Sequence, residues 1–262
     1  MHMKGFALRH GFMKGLLAAA ALTLLSSVPA HAQSYYNAPD GTVLSDYETN
    51  TYFLIMRGAR FSLSPSELSY FFPPWWNPLG FVTHSTMESI TRYPPDGTLV
   101  RERSSTATYV IIGGRKWVPA TSADIEYYGG SSAVRVVPND SLGYAGFNYA
   151  SNGIMVRDRS TDQVYVLFRN TWFALSSESD VHYYGGWQNV RILPDGAIAS
   201  MSSRAPCGAR FRERSSGSIY IMNDFGGKAL ITSPDGNDWA NHYVVPDGSL
   251  ARFPDRPYVC MN

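Results

Sequence analysis

The chain alternates short apolar runs with clusters of glycine, proline and small polar residues. Tyr109-Val110-Ile111-Ile112 is one such run. Tyr165-Val166-Leu167-Phe168, Ile219-Tyr220-Ile221-Met222 and Tyr52-Phe53-Leu54-Ile55-Met56 are its counterparts. Runs of this length, rich in β-branched and aromatic residues and bounded by turn residues, predict strands covered on both faces. Before the first of them, Asp96-Gly97 predicts a turn into a strand over Thr98 to Arg103; after it, Gly113-Gly114 predicts a hairpin into Lys116-Trp117-Val118. Phe61 and Phe173 stand near the Trp117 position in two other copies. A short helix is predicted next. Thr121-x-x-Asp124, Ser177-x-x-Asp180, Ser64-x-x-Glu67 and Thr232-x-x-Asp235 each offer a hydroxyl cap and an acid to answer it, with Pro65 at a first helical position. Tyr127-Tyr128-Gly129-Gly130 and Tyr183-Tyr184-Gly185-Gly186 end the helix on glycine. Val134 to Val137 and Val190 to Leu193 predict a last strand, stopped by Pro138 and Pro194 as Pro246 stops the fourth copy.

The same order of elements returns along the chain. Gly41, Gly97, Gly153 and Gly208 open the copies at steps of 56, 56 and 55 residues, giving repeats at approximately 40–95, 96–151, 152–206 and 207–257. A fixed period of this size is the mark of units that shield their apolar faces against one another. The predicted class is therefore all-β with one short helix per repeat, arranged as a four-repeat closed β-propeller-like ring. A β-trefoil built from the last three repeats is the alternative. No linker interrupts residues 33–262, which read as a single repeat domain.

Four motifs recur in order: Asp96 to Arg101, Thr108 to Lys116, Val118 to Thr121, and Val244 to Leu250. In this the chain resembles a repeat of exported bacterial proteins, D-G-x-L-x-R, V-Y-φ-φ-x-G-G-x-K, V-P-x-[ST] and V-V-P-D-G-x-L. The resemblance covers nearly all of the chain after its leader and implies architecture and export, with no common activity attached. The first copy departs, with Ser45 where Arg101 stands and an extra segment after its helix. At the level of pattern alone the chain is similar to hemopexin-type four-bladed propellers, whose blades bind proteins or matrix; their disulfide joins first and last blades, unlike a Cys207–Cys260 bond.

Residues 1–32 read as a secretory signal peptide: Lys4, Arg9 and Lys14, an apolar run from Leu16 to Leu25, then Ala30-His31-Ala32 with cleavage expected after Ala32. Met13 opens a complete leader by itself. The expected location is periplasmic or secreted, with no membrane span after cleavage. An oxidising compartment predicts that Cys207 and Cys260, the two cysteines of the chain, are joined. Removing the leader leaves 19 basic against 21 acidic residues. That balance argues against nucleic acid as a partner. With charged residues at 16% and aromatic ones at 14%, the chain suits a packed β core rather than disorder.

Candidate chemistry is sparse. His84, His182 and His242 fall at unlike places in their repeats, and no metalloprotease, nucleophile-elbow or phosphate-loop pattern occurs. No catalytic or metal residue is assigned and no cofactor is expected. Asp235-Gly236-Asn237-Asp238 offers oxygen ligands for calcium, against the plainer reading of a turn. Arg101, Arg103, Arg157, Arg159, Arg212 and Arg214 recur at one framework place. They read either as anion-binding forks or, because they repeat, as structural partners of acids and tyrosines in neighbouring copies. The unmatched segment Tyr70 to Pro78 carries the ligand-binding candidates Tyr70, Trp75 and Trp76, with a hydrophobic plug as the alternative. Tyr127, Tyr128, Tyr183, Tyr184 and Trp187 form a second aromatic set, read as packing. The expected function is an exported, non-enzymatic recognition module for a glycan or a protein. A polysaccharide hydrolase and a structural or inhibitory ring are the alternatives.

Overall fold

The computed structural model describes residues 38–72 and 80–261. The leader, Trp75 and Trp76 lie outside them. Each repeat forms one four-stranded sheet. The first contains β1 (Thr42–Asp46), β2 (Thr51–Met56), β3 (Ala59–Leu63) and β4 (Gly80–Val82), and the second β5 (Thr98–Glu102), β6 (Thr108–Ile112), β7 (Arg115–Trp117) and β8 (Arg135–Val137). The third contains β9 (Ile154–Asp158), β10 (Tyr165–Phe168), β11 (Thr171–Ala174) and β12 (Val190–Leu193), and the fourth β13 (Arg210–Glu213), β14 (Ile219–Met222), β15 (Lys228–Leu230) and β16 (Tyr243–Val245). The chain is all-β with a propeller-like repeat, and four separate sheets replace the trefoil alternative.

Within a sheet the first three strands form an antiparallel meander, and the fourth returns beside the first, parallel to it, in the order β7-β6-β5-β8. The parallel return follows from the helix, since a parallel neighbour requires a crossover connection. Among the described residues the α-helices are α1 (Pro65–Phe71), α2 (His84–Ser89), α3 (Ser122–Tyr127), α4 (Glu178–Tyr183) and α5 (Gly236–Ala240). In the second and third repeats a 3₁₀ turn, Ser131–Ala133 and Trp187–Asn189, separates the glycine pair from the last strand. The second of the four helices predicted, α3, has the full reciprocal cap of Thr121 and Asp124. In α4, Ser177 accepts from the Asp180 N–H.

Two helix starts differ from expectation. Ser64 makes no side-chain cap, and Glu67 turns away to a neighbouring repeat. In the fourth copy the helix begins three residues later than Thr232 predicts, on a reciprocal cap of Asp235 and Asp238. Pro234 holds Ser233 away from helical geometry, so the next strong cap residue starts the turn. The first repeat also contains α2, an added helix capped by Thr83 after β4.

The apolar faces interlock between successive repeats. One core joins Phe61 and Ala59 of the first to Val100, Ile111 and Phe147 of the second. A second joins Leu99, Val110 and Trp117 to Val156, Leu167 and Leu193, and a third joins Phe173 and Val166 to Phe211, Met222 and Phe253. Val110 lies opposite both Leu99 and Trp117, so one register places three apolar side chains of a sheet on the same face. Burying each large apolar side chain contributes roughly 1.5–3 kcal/mol.

Candidate functional site

The arginine rows resolve into two structural devices. Arg101, Arg157 and Arg212 fold back onto their own hairpins and donate to the carbonyls of Ser105, Thr161 and Ser216, each at 2.8 Å. Arg103, Arg159 and Arg214 reach the preceding repeat. Arg103 makes a two-point pair with Glu67, Arg159 donates to Asp124 at 3.1 Å, and Arg214 lies 3.1 Å from Asp180. The acids are those at the third helical position of α1, α3 and α4; Asp124 and Asp180 serve both their own helix start and the next repeat's arginine, while Glu67 serves the next repeat alone. A third member completes each joint. Asn139 donates to Glu67, while Asp195 and Asp247 approach Arg159 and Arg214, and the same three side chains accept the N–H of Ser104, Ser160 and Ser215. This accounts for the polar residue after each strand-ending proline. The arginine pair and hydrogen bonds from Asn139 outweigh the burial of Glu67 and keep its carboxyl below the usual range. Burial pushes Asp124 up, but its hydrogen bonds from Asp195, Arg159 and Thr121 prevail and lower it.

The acid between the arginines has its own task. Glu102, Asp158 and Glu213 accept the backbone N–H of Leu142, Ile198 and Leu250, fastening the turn after the last strand. In the first repeat the counterpart is Asp46, which is buried and instead bonds His84 Nδ1 at 2.7 Å. Burial opposes the charge on Asp46, yet bonds from His84 and Thr49 hold it down at about 2. His182 lies beside Glu178 and His242 accepts from Arg212, so the three histidines occupy unlike settings.

The residue before each opening glycine is a second fastening. Asp40, Asp96 and Asn152 each accept an N–H from the tight β2–β3-type turn, at Arg57, Gly113 and Arg169, where the backbone is left-handed. Their other side-chain atoms reach Arg135, Arg191 and Tyr243 of the next repeat. In the fourth copy the same place holds Cys207, and its bond to Cys260 ties the opening of the repeat to the chain's end. Among the described residues, one group of three metal-ligand types converges, Cys207, Asp224 and Cys260, and its sulfurs are bonded to each other. Asp235 and Asp238 cap α5, and Asp238 also holds Arg210 at 2.7 Å.

The aromatic set divides. Tyr128 and Tyr184 are half-buried and donate their hydroxyls to the Ile192 and Val244 carbonyls of the following repeat, with burial raising both phenols. Tyr70, Tyr127 and Tyr183, at the ends of α1, α3 and α4, remain exposed at 60%, 53% and 53%. Arg103 stacks over Tyr70 at 4.8 Å and Arg214 over Tyr183 at 5.2 Å, which fixes two of those rings.

Clefts recur at the joints. The one between the second and third repeats encloses 520 Å³ and contains the Asp96–Arg191 pair. A different cleft of 350 Å³ lies within the third repeat, floored by Val164, Leu175 and Val181 and walled by Trp187. Trp187 takes the place of Ser131 in the second repeat.

No protein-family model matches the chain, and no curated protein matches it. A solved structure titled "Structure of the periplasmic assembly from the ESX-5 inner membrane complex, C1 model" is similar at 12% identity over 83% of this chain and 66% of that one. Its TM-score of 0.17 carries no argument about fold or function.

Proposed function

We propose that the protein is an exported, non-enzymatic recognition module that takes a glycan or a protein partner through aromatic side chains on a rigid β scaffold. The row of exposed tyrosines at three helix ends carries this reading. The arginines and acids of the same region are paired with each other, which leaves the aromatic rings as the groups offered to a partner. Aromatic rings held by a scaffold provide large contact area at little entropic cost. Trp75 and Trp76, which follow Tyr70 in the chain and lie outside the described residues, are further candidates for this reading on sequence alone. Export is supported by the leader-like sequence of residues 1–32 and by the disulfide. Among the described residues no helix is long and apolar enough to cross a membrane.

The test uses a glycan array together with immobilised bacterial envelope proteins. Wild-type chain, Tyr127→Ala/Tyr183→Ala and Trp75→Ala/Trp76→Ala are compared at matched melting temperature. Binding by the wild type that is lost in either variant is the expected result. Binding that survives both variants, or a wild type that binds nothing, sinks the proposal.

A further inference from the structure

The third repeat carries a distinctive set of side chains around one cleft. In the second repeat, whose backbone follows the same course, Thr106, Ala107, Ser122 and Ser131 stand where the third has Asp162, Gln163, Glu178 and Trp187. These four substitutions are scattered over 26 residues of sequence, yet all line one cavity. Its volume of 350 Å³ falls in the roughly 300–1,000 Å³ range of ligand clefts. Together the four substitutions bring a large aromatic ring, two carboxylates and a carboxamide to one opening, where the second repeat has small uncharged residues.

We infer that this cleft is a carbohydrate subsite selecting a neutral or amine-bearing sugar ring, a conclusion that rests on the recognition reading above. Trp187 is 51% exposed, so one part of the indole is seated while the rest is open to a ligand. A pyranose presents a face of C–H bonds whose weakly positive hydrogens match the negative face of an indole. The floor of Val164, Leu175 and Val181 is apolar and buried, which suits the same C–H surface. Sugar hydroxyls then need acceptors at the rim, and Asp162 and Glu178 supply them. Gln163 spends both amide hydrogens on the carbonyls of Val164 and Leu175, which fixes its side chain.

The rim also sets the sign of the ligand. Among the described residues Asp162 has no ion-pair partner, and Glu178 has one, the largely exposed His182 at 3.6 Å. Among the described residues no lysine or arginine lines the cleft. A sugar acid would bring its carboxylate toward two unneutralised carboxylates, whereas a hydroxyl or ammonium group would meet acceptors.

The experiment measures binding of three soluble oligosaccharides to the full exported chain by tryptophan fluorescence and calorimetry: a β-1,4-linked N-acetylglucosamine oligomer, its deacetylated amine form, and an oligogalacturonate. The wild type is expected to bind at least one of the first two and to disfavour the third. Trp187→Ser, which imports the second repeat's residue, should weaken that binding about tenfold or more at unchanged melting temperature. Asp162→Asn/Glu178→Gln keeps the indole and should narrow the preference against the acid sugar. Sugar binding unchanged by Trp187→Ser overturns the inference. So does a wild type that binds none of the three, or that favours the oligogalacturonate. If either happens while Tyr127→Ala/Tyr183→Ala or Trp75→Ala/Trp76→Ala abolishes capture of a glycan or envelope protein, the broader recognition reading stands and this subsite alone falls.

Discussion

Asp124 is the most heavily used carboxylate in the joints between repeats, and replacing it with asparagine isolates what a joint contributes. Its side chain is fully buried. One oxygen accepts from Arg159 Nε at 3.1 Å and from the Asp195 N–H at 3.2 Å; the other accepts from the N–H groups of Ala120 and Thr121 and from the Thr121 hydroxyl. Asparagine has nearly the same shape but only one oxygen, so its amide must face donors on one side. About two buried donors then lose their acceptor, at about 1–3 kcal/mol each. Removing one partner of a buried ion pair costs about 3–5 kcal/mol. The Arg159 side chain is 29% exposed and regains some hydration, which places the expected loss near the lower end, about 3 kcal/mol. That is a large share of the roughly 5–15 kcal/mol typical of a folded domain. Urea unfolding should show the midpoint falling by the corresponding amount. Glu126→Gln, on the exposed side of the same helix, is the control and should cost under about 0.5 kcal/mol. A midpoint for Asp124→Asn within error of that control refutes the assignment of Asp124 as the centre of the joint.

The acid limit of the fold follows from Asp46 and from Glu88 of α2, which accepts two hydrogen bonds from the Arg60 guanidinium at 2.8 and 2.7 Å; their ordinary values of 3.8 and 4.5 are brought down to about 2. Their folded-state values lie below the unfolded ones, so the stabilisation is complete above about pH 4.5 and is lost as pH falls toward 2. Circular dichroism against pH should show this, with the transition moved to higher pH in His84→Ala; an unmoved transition contradicts the role given to the Asp46–His84 bond. Reducing the Cys207–Cys260 bond, which closes a separation of 53 residues, should lower stability by about 4 kcal/mol, read as a loss of denaturant midpoint relative to the oxidised protein. Tyr128→Phe should cost about 1 kcal/mol through its lost bond to Ile192, while Tyr127→Phe next to it should be nearly neutral; equal effects would contradict the division of the two rings.

Much of the fold is legible because its signals are local. The Asp-Gly and Gly-Gly turns, the apolar runs and the cap of Thr121 with Asp124 all act within a few residues, and their period displays the copy number directly. The start of the fourth helix is less legible, since Asp235 competes with Thr232 three residues away and only Pro234 decides between them. The arginine rows signal a structural role by repeating, but which acid each meets depends on how copies sit side by side, and that information is not local. Tyr127 and Tyr128 look alike in sequence; the neighbour's strand anchors one and leaves the other bare. The Trp187 cleft is not legible in the sequence, because Val164, Leu175 and Val181 converge only after the hairpin and helix have formed. The expectation of a closed circle rested on the number four and on blade-sized copies. The joints described here run in sequence order, and Tyr47 stands where a fourth-to-first joint of the same kind would need an arginine.

That tyrosine, together with Asp238, gives the array a direction. In each joint the arginine comes from the later copy and the helix acid it meets comes from the earlier one. The first copy has Tyr47 at the arginine's place, and the fourth copy's helix acid, Asp238, turns inward to Arg210 of its own sheet. A duplicate spliced between the second and third copies would find a complementary group on either side, whereas one appended at an extremity would meet a mismatch. Lengthening such a molecule from the middle keeps every arginine and acid matched.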